Sequence, residues 1–271
     1  MSLRSTLSPT SSFPVAQRDW TAILPAAGRG SRLGFAGPKA LYPLLGRPLI
    51  SWVINAVSHH CVRTIVVTAP TGLREIQFTL ETFHPEITFD YCVQPTPNGT
   101  ADAVRRTQEL VTTPRCLIAW ADQASIRPDT VTRCLEAHSQ TASLQLTFPT
   151  AKRLKPYIHL DRNPDGRIQH VLQAREAAIP ADVGESDCGF FLFETRSLFT
   201  QLTRTQDHNL AGAGTGEVNL LSLIPHFDES PGRCLTLDGA TPEETLGVNT
   251  PEEAVQVEGI LKRRPWAKTT K

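Results

Sequence analysis

Apolar runs and helically spaced segments alternate through the first half of the chain. WTAILPA (20–26) is a short apolar run that predicts a buried strand. In PLISWVINAVSHH, Leu49, Trp52, Val53, Ala56 and Val57 recur at helical spacing. TIVVTAP (64–70) and ITFDYCV (87–93) predict strands, TADAVRRTQELV (100–111) a helix, and CLIAWAD (116–122) a strand. DTVTRCLEAHSQ (129–140) then predicts a helix and SLQLTF (143–148) a strand. Strands apolar on both faces and separated by helices predict an α/β fold with a doubly wound, mostly parallel sheet of Rossmann-like character.

The pattern changes near residue 150. YIHLDRNPDGRIQHVLQ (157–173) predicts two strands about a turn at Asn163–Gly166, and DCGFFLFE (187–194) another strand. GEVNLLSLIPHF (216–227) predicts a helix and RCLTLDG (233–239) a short strand. PEEAVQVEGILKRR (251–264) predicts a last helix, with Thr250 as its cap and Pro251 in its first turn. This half is expected to be a smaller mixed β insertion that completes one side of a single cleft. No Gly/Ser linker divides the chain, so residues 19–265 are expected to form one domain. Its nucleotide-binding half runs over about 19–150 and its acceptor-binding half over about 151–265. Residues 1–18, rich in Ser, Thr and Pro without an apolar core, predict a flexible lead rather than a signal peptide.

Composition narrows the partners. The 271 residues carry 27 basic and 27 acidic side chains, so formal net charge is zero, which argues against a nucleic-acid partner. No apolar run reaches membrane-span length. The six cysteines show no zinc spacing and read as reduced core thiols of a cytoplasmic protein, and none of the eight histidines earns a catalytic role. A homo-oligomer is left open.

The candidate chemistry begins at LPAAGRGSRL (24–33). A strand that ends in a small-residue loop before a helix lets backbone N–H groups approach phosphate. Two common phosphate loops are excluded: GxGxxG fails because Leu33 stands at its third glycine, and no GxxxxGK[ST] occurs. What remains is Ala26, Ala27, Gly28, Gly30, Ser31 and Arg32, then Pro38-Lys39, then Leu45-Gly46-Arg47-Pro48. Alone, Arg32 and Lys39 would read as surface side chains beside a turn. The whole block resembles the sugar-phosphate nucleotidyltransferases, and in particular the N-acetylglucosamine-1-phosphate uridyltransferase domain. The resemblance implies that Arg32 and Lys39 are catalytic and neutralise phosphate charge. It implies that Pro25, Ala26, Ala27, Gly28 and Gly30 hold the nucleotide.

Three further blocks extend it. QPTPNGTADAV (94–104) resembles the base-binding segment, implying Gln94, Gly99 and Thr100 as nucleotide contacts; Thr100 could equally cap the helix it opens. Pro97 stands where the family often has a further Gln. CLIAWADQ resembles the strand segment whose Asp binds Mg²⁺, which implies Asp122 as metal ligand and Ala121, in place of the usual Gly, beside the nucleotide. LGVNTPEEAVQVE (246–258) resembles the late segment whose Asn completes that metal site, here Asn249.

On the acceptor side Tyr157, Gln173 and Asp187 match the family's sugar contacts by position, but most of the discriminating residues have changed. Gln173 replaces an acid, Asp187 an Asn, Ile158 a Gly, and Leu221 a Thr. Asp187 could meet hydroxyls, an amine or Arg175; Gln173 and Asp187 could also be polar strand residues facing solvent. The reading implied is a Mg²⁺-dependent transfer of a nucleotide from a nucleoside triphosphate, with UTP leading, to a sugar 1-phosphate or similar phosphorylated acceptor. The rivals are a cytidylyltransferase using CTP with a non-sugar phosphate or phosphonate, and a non-catalytic nucleotide-sugar sensor. A loop at HNLAGAGTG (208–216) is expected to close over the acceptor.

Overall fold

The computed structural model describes residues 19–207, 211–212 and 214–264. The expected lead over 1–18 lies outside the described residues, as does part of the loop 208–216. Strand β1 (Trp20–Pro25) is followed by a short antiparallel pair, β2 (Pro43–Leu44) and β3 (Arg47–Pro48), and helix α1 (Leu49–Val57). Then come β4 (Arg63–Thr68), α2 (Leu73–Phe83), β5 (Phe89–Val93), α3 (Thr100–Arg105), β6 (Arg115–Ala119) and α4 (Pro128–Gln140). The remainder holds β7 (Leu146–Leu154), the hairpin β8 (Ile158–Arg162) and β9 (Ile168–Gln173), β10 (Val183–Asp187) and β11 (Phe190–Glu194). It closes with α5 (Thr195–Asp207), α6 (Ile224–Asp228), β12 (Cys234–Leu237) and α7 (Pro251–Arg263).

One sheet has the order β10-β7-β11-β6-β1-β4-β5, with β12 also paired to β7. Strands β6, β1, β4 and β5 are mutually parallel, while β11 runs antiparallel to β6 and β7. The two faces are covered separately, as alternation along a strand requires. Trp20, Ala22 and Leu24 of β1 pack with α1, α2 and α4 on one face. Ile23 of the same strand packs with α3, α5 and α6 on the other. A third cluster joins Leu33, Leu44, Leu49 and Trp52 to Val248, Ala254, Val257 and Leu261, clasping α7 against the start of the chain. All six cysteines are free thiols. Among the described residues no helix is long and apolar enough to cross a membrane.

Two predicted helices are shorter than expected. The helix over 100–111 stops at Arg105: the next turns close by i+3 bonds, and Thr107 Oγ1 donates to the Val104 carbonyl at 2.7 Å. The helix over 216–227 is a 3₁₀ turn (Leu220–Leu223) followed by α6, because Val218 spends its backbone on Asn98 and Ala101 instead. Elements α2, α5 and β10 were not anticipated. Helix α2 buries only Ile76 and Leu80 and leaves Phe78 at its surface, so its pattern is blurred.

Candidate active site

Because β1, β4, β5 and β6 run the same way, the chain leaves all four at one edge of the sheet, where open α/β sheets bind ligands. A cavity of about 420 Å³ opens there. All the sequence-derived candidates line it: Pro25, Ala26, Ala27, Gly28, Gly30, Arg32 and Lys39; Gln94, Gly99, Thr100, Ala121 and Asp122; and Tyr157, Gln173, Asp187 and Asn249.

The loop after β1 is pinned at few points. Ala26 N–H donates to the Val67 carbonyl at 2.8 Å, Leu33 N–H to Gly30 at 2.9 Å, and Lys39 N–H to Gly28 at 3.0 Å. The N–H groups of Ala27, Gly28, Arg29 and Gly30 have no acceptor among the described residues. Gly30, at φ 34°, sits in the left-handed region that starts the 3₁₀ turn Ser31–Leu33 and aims Arg32 along the cavity. The result is a cluster of free backbone donors beside an exposed arginine.

Three distant segments meet at one cation. Lys39 Nζ forms an ion pair with Asp122 Oδ2 and donates to Asn249 Oδ1 at 2.7 Å. Asp122 lies just beyond β6, and the segment before Asn249 is stitched to it. Val248 N–H donates to the Asp122 carbonyl at 3.0 Å, Gln123 Nε2 to the Glu244 carbonyl at 2.7 Å, and Ser125 Oγ to the Leu246 carbonyl at 2.8 Å. Asn249 is held in turn by Glu253, whose Oε2 accepts from Asn249 N–H at 2.6 Å and Thr250 N–H at 3.1 Å. Thr250 Oγ1 accepts from Glu253 N–H, which closes a capping box, so the expected cap and the placement of Asn249 are one device. Among the described residues no group of three or more His, Cys, Asp or Glu could hold a metal. One carboxylate and one amide oxygen already converge on the Lys39 ammonium, a hard-oxygen pair that fits Mg²⁺ when phosphates and water supply the other ligands.

Gln94 is buried, and its amide nitrogen is occupied: it donates to the Gly99 carbonyl at 3.0 Å and to Asp102 Oδ2 at 2.9 Å. The oxygen is the part left to a ligand. Burial opposes ionisation of Asp102, yet bonds from Arg106, Gln94 and Arg105 hold its carboxyl below the usual range. Thr100 does not cap α3. Gly99 is the N-cap, without a side-chain bond, and Thr100 Oγ1 accepts from Leu220 N–H at 2.9 Å. Gly99 has φ 98°, and a Cβ there would drive into the Val218 backbone. Segment 98–101 is thus laced to 218–220, a link that no motif announced.

On the acceptor side, Gln173 and Asp187 are only 9% and 5% exposed, so neither is a solvent-facing strand residue. Asp187 Oδ1 accepts from Gly189 N–H at 2.8 Å, while Oδ2 is buried without a partner. Burial, with Asp122 nearby, pushes its pKa up to about 6. Arg175 does not pair with Asp187; it turns to Asn219 and lies 3.5 Å from both Glu217 and Glu176. Sequence reasoning missed Asp102, Glu253 and Arg153, all of which serve or line this region. Asp102 and Glu253 lie inside quoted blocks, at the third helix position after a cap; Arg153 has no local signal.

A family model described as the MobA-like NTP transferase domain matches residues 22–188. The bifunctional protein GlmU of Rhodospirillum rubrum is 30% identical over 250 residues, covering 90% of this chain and 53% of its own length. That of Geobacter metallireducens is 27% identical over 252 residues, covering 91% and 51%. The chain therefore spans about half the length of these relatives. In fold it matches the 4-diphosphocytidyl-2C-methyl-D-erythritol synthase of Anaerococcus prevotii, with a TM-score of 0.62 at 13% identity over 91% of this chain and all of that one. With its doubly wound sheet and the glycine loop at its carboxyl edge, the chain belongs to the MobA-like NTP transferase family.

Proposed function

We propose that the protein transfers a nucleoside monophosphate from a nucleoside triphosphate, UTP first, to a sugar 1-phosphate or kindred phosphorylated small molecule, releasing pyrophosphate. The observation that carries this is the meeting of Lys39, Asp122 and Asn249 beside the free N–H groups of the loop at 27–30. An oxygen of the acceptor phosphate attacks the α-phosphorus, the bond to the β-phosphate oxygen breaks, and pyrophosphate leaves with that electron pair. Such a reaction needs positioning and charge neutralisation more than proton transfer. Loop N–H groups and Arg32 take the β- and γ-phosphates, Arg32 through a fork that matches two oxygens. Lys39 supplies a point charge at the α-phosphate. Asp122 and Asn249 would hold Mg²⁺, which when bound neutralises phosphate charge. Gln94 and Gly99 border the base, Thr100 and Ala121 the ribose, and Tyr157, Gln173 and Asp187 the acceptor.

Gln94 favours keeping CTP as a second donor. Its free oxygen accepts a hydrogen bond, and both uracil (N3–H) and cytosine (the 4-amino group) offer a donor. Pyrophosphate release by the purified protein with each nucleoside triphosphate, Mg²⁺ and a panel of phosphorylated acceptors decides the matter. Release with UTP and a sugar 1-phosphate is the expected result. Release with CTP alone selects the cytidylyltransferase. Tight nucleotide-sugar binding without release for any pair overturns the enzymatic reading in favour of a sensor.

A further inference from the structure

Arg153 lines the same cavity and has no part in the roles above. It sits near the carboxyl end of β7, half-buried. Its Nη1 makes two long hydrogen bonds to one residue, 3.3 Å to the Thr245 carbonyl and 3.4 Å to Thr245 Oγ1. Nε and Nη2 have no acceptor among the described residues, and no carboxylate stands at ion-pair distance. The carboxylate that acts on it from farther away is Glu253, already bound to the N–H groups of Asn249 and Thr250. Three other half-buried arginines have a carboxylate, Arg63 pairing with Asp90, Arg115 with Glu194 and Arg162 forking onto Glu185. Arg47, Arg127 and Arg167 are half-buried without an ion pair among the described residues, but none of them lines the cavity. A desolvated guanidinium without a counter-charge is costly, and an arriving anion removes that cost.

Position selects the anion. Strands β7 and β6 both run antiparallel to β11, so Arg153 reaches the same sheet edge as Asp122. The donor loop follows β1, with β6 and β11 standing between β1 and β7. Thr245, the one residue among those described that Arg153 touches by hydrogen bond, lies two positions before Gly247, where a Cβ would stand 3.8 Å from Asp122 and 3.6 Å from Asn249. Arg153 therefore flanks the Lys39–Asp122–Asn249 corner from the side that holds Gln173 and Asp187.

We propose that Arg153 binds the phosphate of the acceptor, and that the acceptor is a small phosphomonoester whose body gives a hydroxyl or amine hydrogen to the unpartnered Asp187 Oδ2. The inference rests on the nucleotidyl-transfer reading and adds to it a second phosphate anchor, separate from Arg32. Each phosphate then has its own guanidinium: Arg32 for the leaving group, Arg153 for the nucleophile.

The test separates the two ideas. The full chain with Mg²⁺ is first titrated calorimetrically with α,β-methylene UTP, which cannot transfer its nucleotide. Inorganic phosphate and glucose 1-phosphate are then titrated into the loaded protein, for wild type, Arg153→Gln and Arg153→Lys. The expected result is unchanged nucleotide affinity, a loss of at least about tenfold in affinity for both phosphate probes in Arg153→Gln, and partial recovery in Arg153→Lys. Equal phosphate affinity in wild type and Arg153→Gln overturns the proposal, as does a nucleotide-loaded wild type that binds neither probe. A wild type that binds no nucleotide removes the parent reading, and this inference with it.

Discussion

Asp187 carries a thermodynamic burden that a structural residue would not keep. Its carboxyl is buried, half-satisfied and raised to about 6, so the folded state binds its proton more tightly than the unfolded chain does. The charged form is thus disfavoured in the fold: Asp187 subtracts stability above about pH 6, and the penalty lifts as pH falls toward the ordinary carboxylate range. The penalty at pH 8 is about 3 kcal/mol at most. Asp187→Asn should therefore raise the melting temperature at pH 8 and change it little at pH 4, as measured by calorimetry, while impairing use of the acceptor. Lys39→Gln and Arg32→Gln should each lower kcat about 10²–10³-fold with little change in the melting temperature. Gly99→Ala should cost at least about 2 kcal/mol by denaturant titration, because φ 98° and the Val218 backbone both exclude a methyl group. That the loop after β1 lines the cavity was legible because its candidates lie in consecutive residues with backbone constraints: Gly28, Gly30 and Arg32 read as a unit. Asp187 and Gln173 were legible only through the resemblance, since polar strand residues look alike whether they face solvent or a cavity. Arg153 sits in a strand whose neighbours give no hint that it lines the cavity.

The clearest element-scale device is the start of α7. Thr250 and Glu253 exchange hydrogen bonds across its first turn, and the same Glu253 oxygen fixes the N–H of Asn249. A helix cap and a candidate ligand therefore share one carboxylate. Thr250→Ala should cost about 1 kcal/mol, equivalent to roughly 2–4 °C in a chain of this size. It should also reduce turnover, because the residue it loosens adjoins Asn249. This start was legible from Thr250-Pro251 and the periodicity that follows. Helix α5 was not, because TRSLFTQLTRTQD is polar and shows its apolar residues, Leu198, Phe199 and Leu202, only as a narrow stripe. The overlong expectation for 100–111 failed for another reason: Thr107 recaptures a carbonyl and ends the helix locally.

At the scale of the molecule, strands from both halves of the chain share one sheet, with β11 inserted between β6 and β7. We propose on that basis that residues 19–265 unfold as a single unit, which calorimetry would show as one transition with equal calorimetric and van't Hoff enthalpies. Two unlinked transitions would instead mark the halves as separate domains. The alternation of strands and helices made the sheet legible. The lacing of 98–101 to 218–220 was not, because main-chain hydrogen bonds between distant loops leave no side-chain pattern. Lys39, Asp122 and Asn249 come from positions far apart in the chain, and the Lys39 ammonium already neutralises the Asp122 carboxylate while it donates to the Asn249 amide oxygen. The Asp122 carboxylate thus already has its counter-ion, and on the proposed reading a divalent cation entering between Asp122 and Asn249 would have to displace that ammonium. A triphosphate bound as proposed would remove that obstacle by drawing Lys39 away. Manganese binding followed by electron paramagnetic resonance should therefore be weak without nucleotide and strong with it, whereas Lys39→Gln should bind manganese more tightly than wild type when nucleotide is absent.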